Sequence, residues 1–373
     1  MMDLDSDSDL ELDSDLARTA RLRREPFGTL ADGTAIERLR LIGDAGFEVA
    51  ILTFGAAVQA LHVPDRDGVS ADIVLGHDSL APYASDRRYF GAAVGRYANR
   101  IQGGSFTLDG ITCHVPANDG PNALHGGPDG FDRRVWSVEA ITDGPAPSVT
   151  LGLVSPDGDQ GFPGTLAVRL TYALTGPREL SIAFEATTDR PTLVNLTHHG
   201  FFNLAGVAEG GDVLDHVLTL AADSYLPVDA LAIPRGGPAP VAGTPFDFRT
   251  PKAIGADIRS AQEQLRLGRG YDHNYCLSGG RTRAPRFVAR VEHPGSGRVM
   301  ELLTDQPGLQ FYSGNFLDGT AEGKFGRLHR QSDAFCLEPQ AWPDTPNRGD
   351  FPSARLDPGE TYRHVSLYRF STL

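Results

Sequence analysis

Hydrophobic positions along this chain recur with a period of two far more often than with the helical period of about 3.6. Phe47, Val49 and Ile51 alternate with Glu48, Ala50 and Leu52, and after Gly55 a second run, Ala60-Leu61-His62-Val63, is closed by the turn sequence PDRDG at 64–68. Leu166, Val168, Leu170, Tyr172 and Leu174 alternate with Thr165, Ala167, Arg169, Thr171 and Ala173. Leu180, Ile182, Phe184 and Ala186 alternate with Ser181, Ala183, Glu185 and Thr187, beyond a turn at Gly176-Pro177. Such alternation turns one face of a strand to a core and the other to water, as antiparallel strands do. Asp109-Gly110 inside SFTLDGITC predicts a tight hairpin. FVARVEHPGSGRVMELLTD repeats the pattern around Gly295 and Gly297, and TYRHVSLYRF closes the chain with it. Only 251–267 looks helical, with a thin apolar stripe. Many strands with turn signals and almost no helix predict an all-β chain built as a large antiparallel β-sandwich.

Composition adjusts this picture at its start. The first sixteen residues, MMDLDSDSDLELDSDL, carry seven acids and no Lys or Arg, and so supply half of the formal net charge of −14. Residues 1–26 are read as an acidic, solvated and disordered tail, and 27–373 as one β-sandwich domain. Arg18, Arg21, Arg23 and Arg24 follow the acids and could pair with them. The tail has neither a basic n-region nor an apolar h-region, and no run of about 18 apolar residues exists to span a bilayer. The negative charge argues against nucleic acid or an anionic membrane as partner. Three widely spaced cysteines, Cys113, Cys276 and Cys336, suit the reducing cytoplasm and form neither a disulfide framework nor a zinc cluster. No GxGxxG fingerprint follows a strand, no P-loop sequence appears, and there is no fixed-period repeat.

The stretch LVNLTHHGFFNL, 193–204, sets Asn195, Thr197, His198, His199 and Asn203 in an apolar frame. Buried imidazoles are costly unless their nitrogens find partners, and Asn and Thr beside the pair are able to hold a ring in place. A histidine held in an apolar wall near neutral pKa suits proton transfer. Adjacent residues of a strand point to opposite faces, so the pair is a poor metal site and at most one ring faces any cavity. Four further polar clusters interrupt the strands: Arg96, Asn99 and Arg100 in GRYANRI; His125 beside Gly126-Gly127, glycines that let backbone approach a ligand; Asp272, His273 and Asn274 in YDHNY; and Glu338, Gln340 and Trp342 in FCLEPQAWPD. Each alone has an ordinary structural reading. Together they describe a pocket for a neutral polyhydroxylated ligand, with paired donors and acceptors for hydroxyls and aromatic faces for C–H groups.

In this order, GRYANRIQGGSFTLDG, NALHGGPDGFDRRVW, LVNLTHHGFFNL, YDHNY, PGLQFYSGNFLDG and FCLEPQAWPDTPN resemble the aldose 1-epimerase (galactose mutarotase) family, from about Leu30 to the C-terminus. The resemblance implies a single galactose mutarotase-like supersandwich that interconverts the α and β anomers of a free hexose, glucose or galactose, by acid–base ring opening and closure. It implies His199 as general acid at the ring oxygen, Glu338 as general base at the anomeric hydroxyl, and His125 assisting beside the ring oxygen. Arg100 and Asp272 are implied to bind sugar hydroxyls, with Asn99 and Gln310 also in the pocket, and no cofactor or metal is implied. The chain departs from the family where His198 replaces a usual amide and Gly200-Phe201 a usual Ser-Tyr. A hexose-6-phosphate 1-epimerase is one alternative, with Arg327, His329 and Arg330 in FGRLHR as candidate phosphate ligands, and a non-catalytic sugar-binding protein is another. The sequence leaves the preferred hexose and the oligomeric state open. Carboxylates near His199 are expected to outweigh burial and raise its pKa.

The tail lies outside every matched motif. A chain lacking residues 1–18 should keep its melting temperature and its activity, and a large loss in either would show that the tail docks on the domain.

Overall fold

The computed structural model describes residues 21–373. The first strands form a five-stranded antiparallel meander: Leu22–Thr29, Ala35–Ile42, Glu48–Leu52, Val58–Pro64 and Ser70–Asp72. Residues 22–26, expected in the tail, are therefore part of the fold. Arg24 pairs with Glu37 and Arg38 with Glu25, each at 2.6 Å, across the first two strands. Arg21 meets Asp44, also at 2.6 Å, so two of the four arginines expected to neutralise the tail pair within the sheet instead. Residues 1–20 lie outside the described part of the chain.

The clearest alternation produces the largest sheet. Nine antiparallel strands lie in the order Ser137–Thr142, Ser148–Ser155, Leu166–Gly176, Glu179–Thr188, Tyr362–Thr372, Arg298–Thr304, Arg286–Glu292, Val217–Leu220 and Lys252–Ala253. Leu166, Val168, Leu170, Tyr172 and Leu174 are all buried, and Leu170 stands opposite Phe184, also buried. Full burial of such side chains stabilises by about 1.5–3 kcal/mol each. Asp109 and Gly110 take positive φ of 51° and 79° between the paired strands Ser105–Leu108 and Ile111–His114, as the hairpin signal required.

A third sheet, of five strands, runs Ala239–Pro240, Ser224–Tyr225, Asp272–Cys276, Gly308–Tyr312 and Cys336–Gln340. One continuous core joins all three sheets: Leu39 and Ile51 from the first, Leu170 and Phe184 from the second, Leu309, Phe311 and Leu337 from the third. The stretch expected as a helix divides otherwise. Lys252–Ala253 joins the large sheet, Ile254–Ala256 is one 3-10 turn, and only Glu263–Gly268 is α-helical, capped by the Gln262 side chain. Strand pairing captured the segment's start because its apolar stripe was too thin to hold a helix on the core. A second short helix, Leu80–Ser85, had no helical periodicity to announce it. All three cysteines are free, and no helix among the described residues is long and apolar enough to cross a membrane.

The core holds many histidines. Burial pushes His198, His216 and His329 down to about 4, and His273 and His364 to about 3. Unfolded, these rings bind protons below about 6.5, whereas in the fold they stay neutral until near 4 or lower. Their contribution is therefore present above pH 6.5 and is lost as pH falls, by up to about 1.4 kcal/mol per ring per pH unit. Thermal melts should show a midpoint several degrees lower at pH 5 than at pH 7.5. A midpoint flat over that interval would mean that the rings titrate in the fold as they do in the unfolded chain.

Candidate active site

Three neighbouring strands of the third sheet supply one wall of a cavity. Their register sets Gln310 opposite Glu338 and Tyr312 opposite Asp272. Because alternate residues share a face, Asp272, Gln310, Tyr312 and Glu338 all line the cavity. Gln310 Nε2 donates to Asp272 Oδ1 at 2.7 Å, tying two strands together through their side chains. Glu338 is 2% exposed, and its Oε2 has no hydrogen-bond partner in the protein. A buried carboxyl oxygen left open is an invitation to a ligand hydroxyl.

Across the cavity stands His199, on the strand Thr197–His199 that pairs with Ala92–Val94. Its Nε2 lies 3.6 Å from Glu338 Oε2. His198 points the other way, into the core, its ring 6.2 Å from that of Tyr172 and 6.4 Å from that of Tyr368. The expectation that Asn and Thr hold a histidine ring is not met. Thr197 Oγ1 donates to Pro339 O at 2.7 Å, and Ala341 N donates to Asn195 Oδ1 at 2.8 Å. These bonds brace the segment that follows Glu338, while Asn203 donates to Gly211 O and Asp333 O.

The remaining expected residues arrive from the GRYANRI and HGG segments. Asn99, at φ 63°, donates its backbone N–H to His125 Nδ1 at 3.1 Å. That acceptor role keeps the proton of a neutral His125 on Nε2. Arg100 donates to Asp119 Oδ2 at 2.7 Å on the cavity wall. Gly126, at φ 84°, serves a different end from the one expected. A Cβ there would stand 2.1 Å from Gly95 O, so the glycine admits the chain's own backbone rather than a ligand. Arg96 is buried among carbonyls of Ser155, Pro156, Pro163 and Gly164 and has a structural task. Trp342 packs on Phe351 and donates to Pro307 O, away from the cavity.

The cavity encloses about 430 Å³, within the range of small-molecule sites. His199, Glu338, His125, Arg100, Asn99, Asp272 and Gln310 all line it, so the structure gathers all seven expected residues in one place. The aromatic faces are Tyr89, Phe201, Tyr312 and Phe316 instead of Trp342. Sequence reasoning passed over Tyr89. It belongs to no alternating run, and its place beside His199 comes from the backbone bond Gly91 N to His199 O at 2.9 Å.

Charge is expensive here. Burial, with a smaller push from His198, brings His199 down to about 3, against the expectation that carboxylates would raise it. Burial lowers His125 well below the usual range, and the neighbouring His199, Arg100 and Arg87 add to this. Glu338 is raised well above the ordinary carboxylate range by burial and by Asp272. Burial also raises Asp272, opposed by Arg100 and by the Gln310 hydrogen bond. Two neutral groups need no desolvated charge, so burial favours a protonated Glu338 beside a neutral His199 over an imidazolium–carboxylate pair.

Among the described residues two groups have ligand-like spacing for a metal: His125, His199 and Glu338, and separately Asp215, His216 and His293. Their hydrogen bonds point elsewhere. His125 Nδ1 accepts from Asn99, His216 Nε2 from Leu204 N, and His293 Nδ1 from Ser296 N. In each neutral ring the proton then sits on the other nitrogen, which donates rather than ligates. His216 Nδ1 uses it on Asp215 at 3.0 Å.

The family model described as aldose 1-epimerase matches residues 37–369. The galactose mutarotase of Rattus norvegicus is 46% identical over 349 residues, covering 93% of this chain and 98% of that protein. The aldose 1-epimerase of Escherichia coli (strain K12) is 38% identical over 341 residues, covering 91% and 96%. Among solved structures, galactose 1-epimerase from Lactobacillus acidophilus NCFM superposes with a TM-score of 0.83 at 30% identity, covering 95% of this chain and 99% of the other.

Proposed function

This chain belongs to the aldose 1-epimerase family, and we propose that it interconverts the α and β anomers of a free hexose, galactose or glucose, in the cytoplasm. One observation supports this above the rest: a buried imidazole and a buried carboxyl stand 3.6 Å apart at the wall of a polar cavity of about 430 Å³. Anomer exchange needs one group to take a proton and another to give one, and returns both to their starting state.

The sugar lies with O1 at Glu338 and its ring oxygen between His199 and His125. Its hydroxyls solvate the Glu338 carboxylate, and the proton passes to His199. Glu338 then removes the O1 proton while His199 protonates O5, and the C1–O5 bond breaks to give the open aldehyde. Rotation about C1–C2 presents the other carbonyl face. O5 attacks it, His199 recovers its proton from O5, and Glu338 returns one to O1. His125, with its proton on Nε2, donates a hydrogen bond at the ring oxygen. Arg100, Asn99, Asp272 and Gln310 orient the remaining hydroxyls. Acid and base each contribute roughly 10²–10⁴-fold.

Among the described residues, the arginines that line the cavity are each already paired with a carboxylate, which disfavours the phosphosugar alternative. Arg87 is bound in two bonds by Asp132, Arg88 by Asp86 and Asp318, and Arg100 by Asp119. Arg327, His329 and Arg330 do not line the cavity at all.

Polarimetry of freshly dissolved α-D-galactose and α-D-glucose tests the reading: the protein should speed their approach to equilibrium, unchanged by EDTA. Sugar binding without acceleration would make it a binding protein, and turnover of a 6-phosphate alone would make it a phosphosugar enzyme. Glu338→Gln and His199→Asn should each lower kcat by about 10²-fold or more, Asp272→Ala should also raise KM, and His198 substitutions should cost less than those at His199. Since burial depresses His199 and raises Glu338, kcat/KM should be flat across neutrality. It should fall in acid as the pair gains a second proton, mainly on His199, and in alkali as Glu338 loses the only one. Residual activity of His199→Asn should lack the acid limb. An acid limb unchanged in that variant would remove His199 from the couple and leave His125 as the better candidate.

A further inference from the structure

A histidine that carries a proton in catalysis is ordinarily held in orientation by a hydrogen bond from its second nitrogen. His199 has none. Its Nδ1 is buried with no hydrogen bond of normal geometry, and Nε2 meets only the Glu338 carboxyl at 3.6 Å. Something else sets the plane of this ring. Phe201 lies parallel to it, centroids 4.8 Å apart and planes 18° apart. Tyr89 is also parallel, at 5.8 Å and 17°, and is the nearer ring edge-on to His125, at 4.6 Å.

Phe201 is two residues along the same chain segment, so its place follows from that segment. Tyr89 is not, and the structure holds it with several devices. Its backbone is in the left-handed region, φ 59°, where a bulky side chain is disfavoured. Ala92 N donates to Tyr89 O at 3.0 Å, and Gly91 N donates to His199 O at 2.9 Å, so the turn is tied to the strand that it serves. Phe90 anchors the next position, 3% exposed and edge-on to Phe201 at 4.9 Å. The Arg87 guanidinium lies 5.0 Å from the centre of the Tyr89 ring and is itself locked by two bonds to Asp132.

We propose that Tyr89 is a positioning residue for His199: with Phe201 it fixes the plane of the imidazole by stacking, and its π-face stabilises the imidazolium formed during turnover. The inference rests on the proposed acid–base role of His199. A cation near an aromatic face gains most where water is excluded, and this ring is 5% exposed. The charged or titratable groups around it are Glu338 across the cavity, His125 at its edge and His198 behind, with Arg87 and Arg100 beyond His125. None of these substitutes for a parallel ring.

Two variants decide it. Tyr89→Gly removes the ring at a position whose positive φ suits glycine, so the fold should survive, checked by melting temperature. Its kcat for α-D-galactose should fall about tenfold with KM little changed, and its acid limb should move, because His199 loses the π-face and gains water. Tyr89→Phe keeps the stack and should retain wild-type kcat and pH profile. A folded Tyr89→Gly with unchanged kcat and acid limb would overturn the proposal. So would a Tyr89→Phe loss as large as that of the glycine variant, since the hydroxyl would then be the working part; this arm also decides the case if the glycine variant does not fold. A wild-type protein without mutarotation would refute the functional reading itself, which separates the two failures.

Discussion

Two titratable groups that both leave water on folding, and meet at 3.6 Å, govern this molecule. Glu338 and His199 are 2% and 5% exposed, so each resists carrying charge alone. The low-cost state is one proton between two neutral groups. In the proposed reaction a sugar hydroxyl at the carboxyl changes that balance, and the burial that makes charge costly makes its movement responsive to the ligand.

The fold exists around this pair in a direct sense. Glu338 is held by a three-strand ladder, where Gln310 stands opposite it and Asp272 is tied to Gln310. Asn195 and Thr197 bond to the backbone just after Glu338, so the histidine segment and the glutamate segment are fastened by their polar side chains before either meets a ligand. Buried amides and hydroxyls are thus spent on spacing the two segments, and the rings are left to aromatic contacts. Gly126, packed against Gly95, brings the His125 turn to the same point.

The chain's departures from its family fall around His199. Phe201, read from the sequence as one such departure, stacks on the ring without a hydroxyl, and His198, the other, turns into the core beside Tyr172 and Tyr368. Neither removes His199 or Glu338 from the cavity wall. Phe201 stacks on the His199 ring, and His198 adds to the electrostatic pressure that keeps His199 neutral.

Local pattern was enough to establish the all-β architecture, because alternation such as Leu166 to Leu174 records which face is buried. It also indicated that His198 and His199 must diverge, since a strand permits nothing else. Family motifs marked seven of the residues that line the cavity. Other features depend on contacts between distant segments and left no trace in the local pattern. The start of the fold at Leu22 was hidden because Arg24 and Glu25 read as tail until Glu37 and Arg38 lie across from them. The true partners of Asn195 and Thr197 are about 140 residues away. The direction of the His199 shift turned on how completely the ring is enclosed, and the place of Tyr89 on a turn tied to another strand. Periodicity reports which face of a strand is covered; only the assembled sheets decide what covers it, and hence where a proton rests.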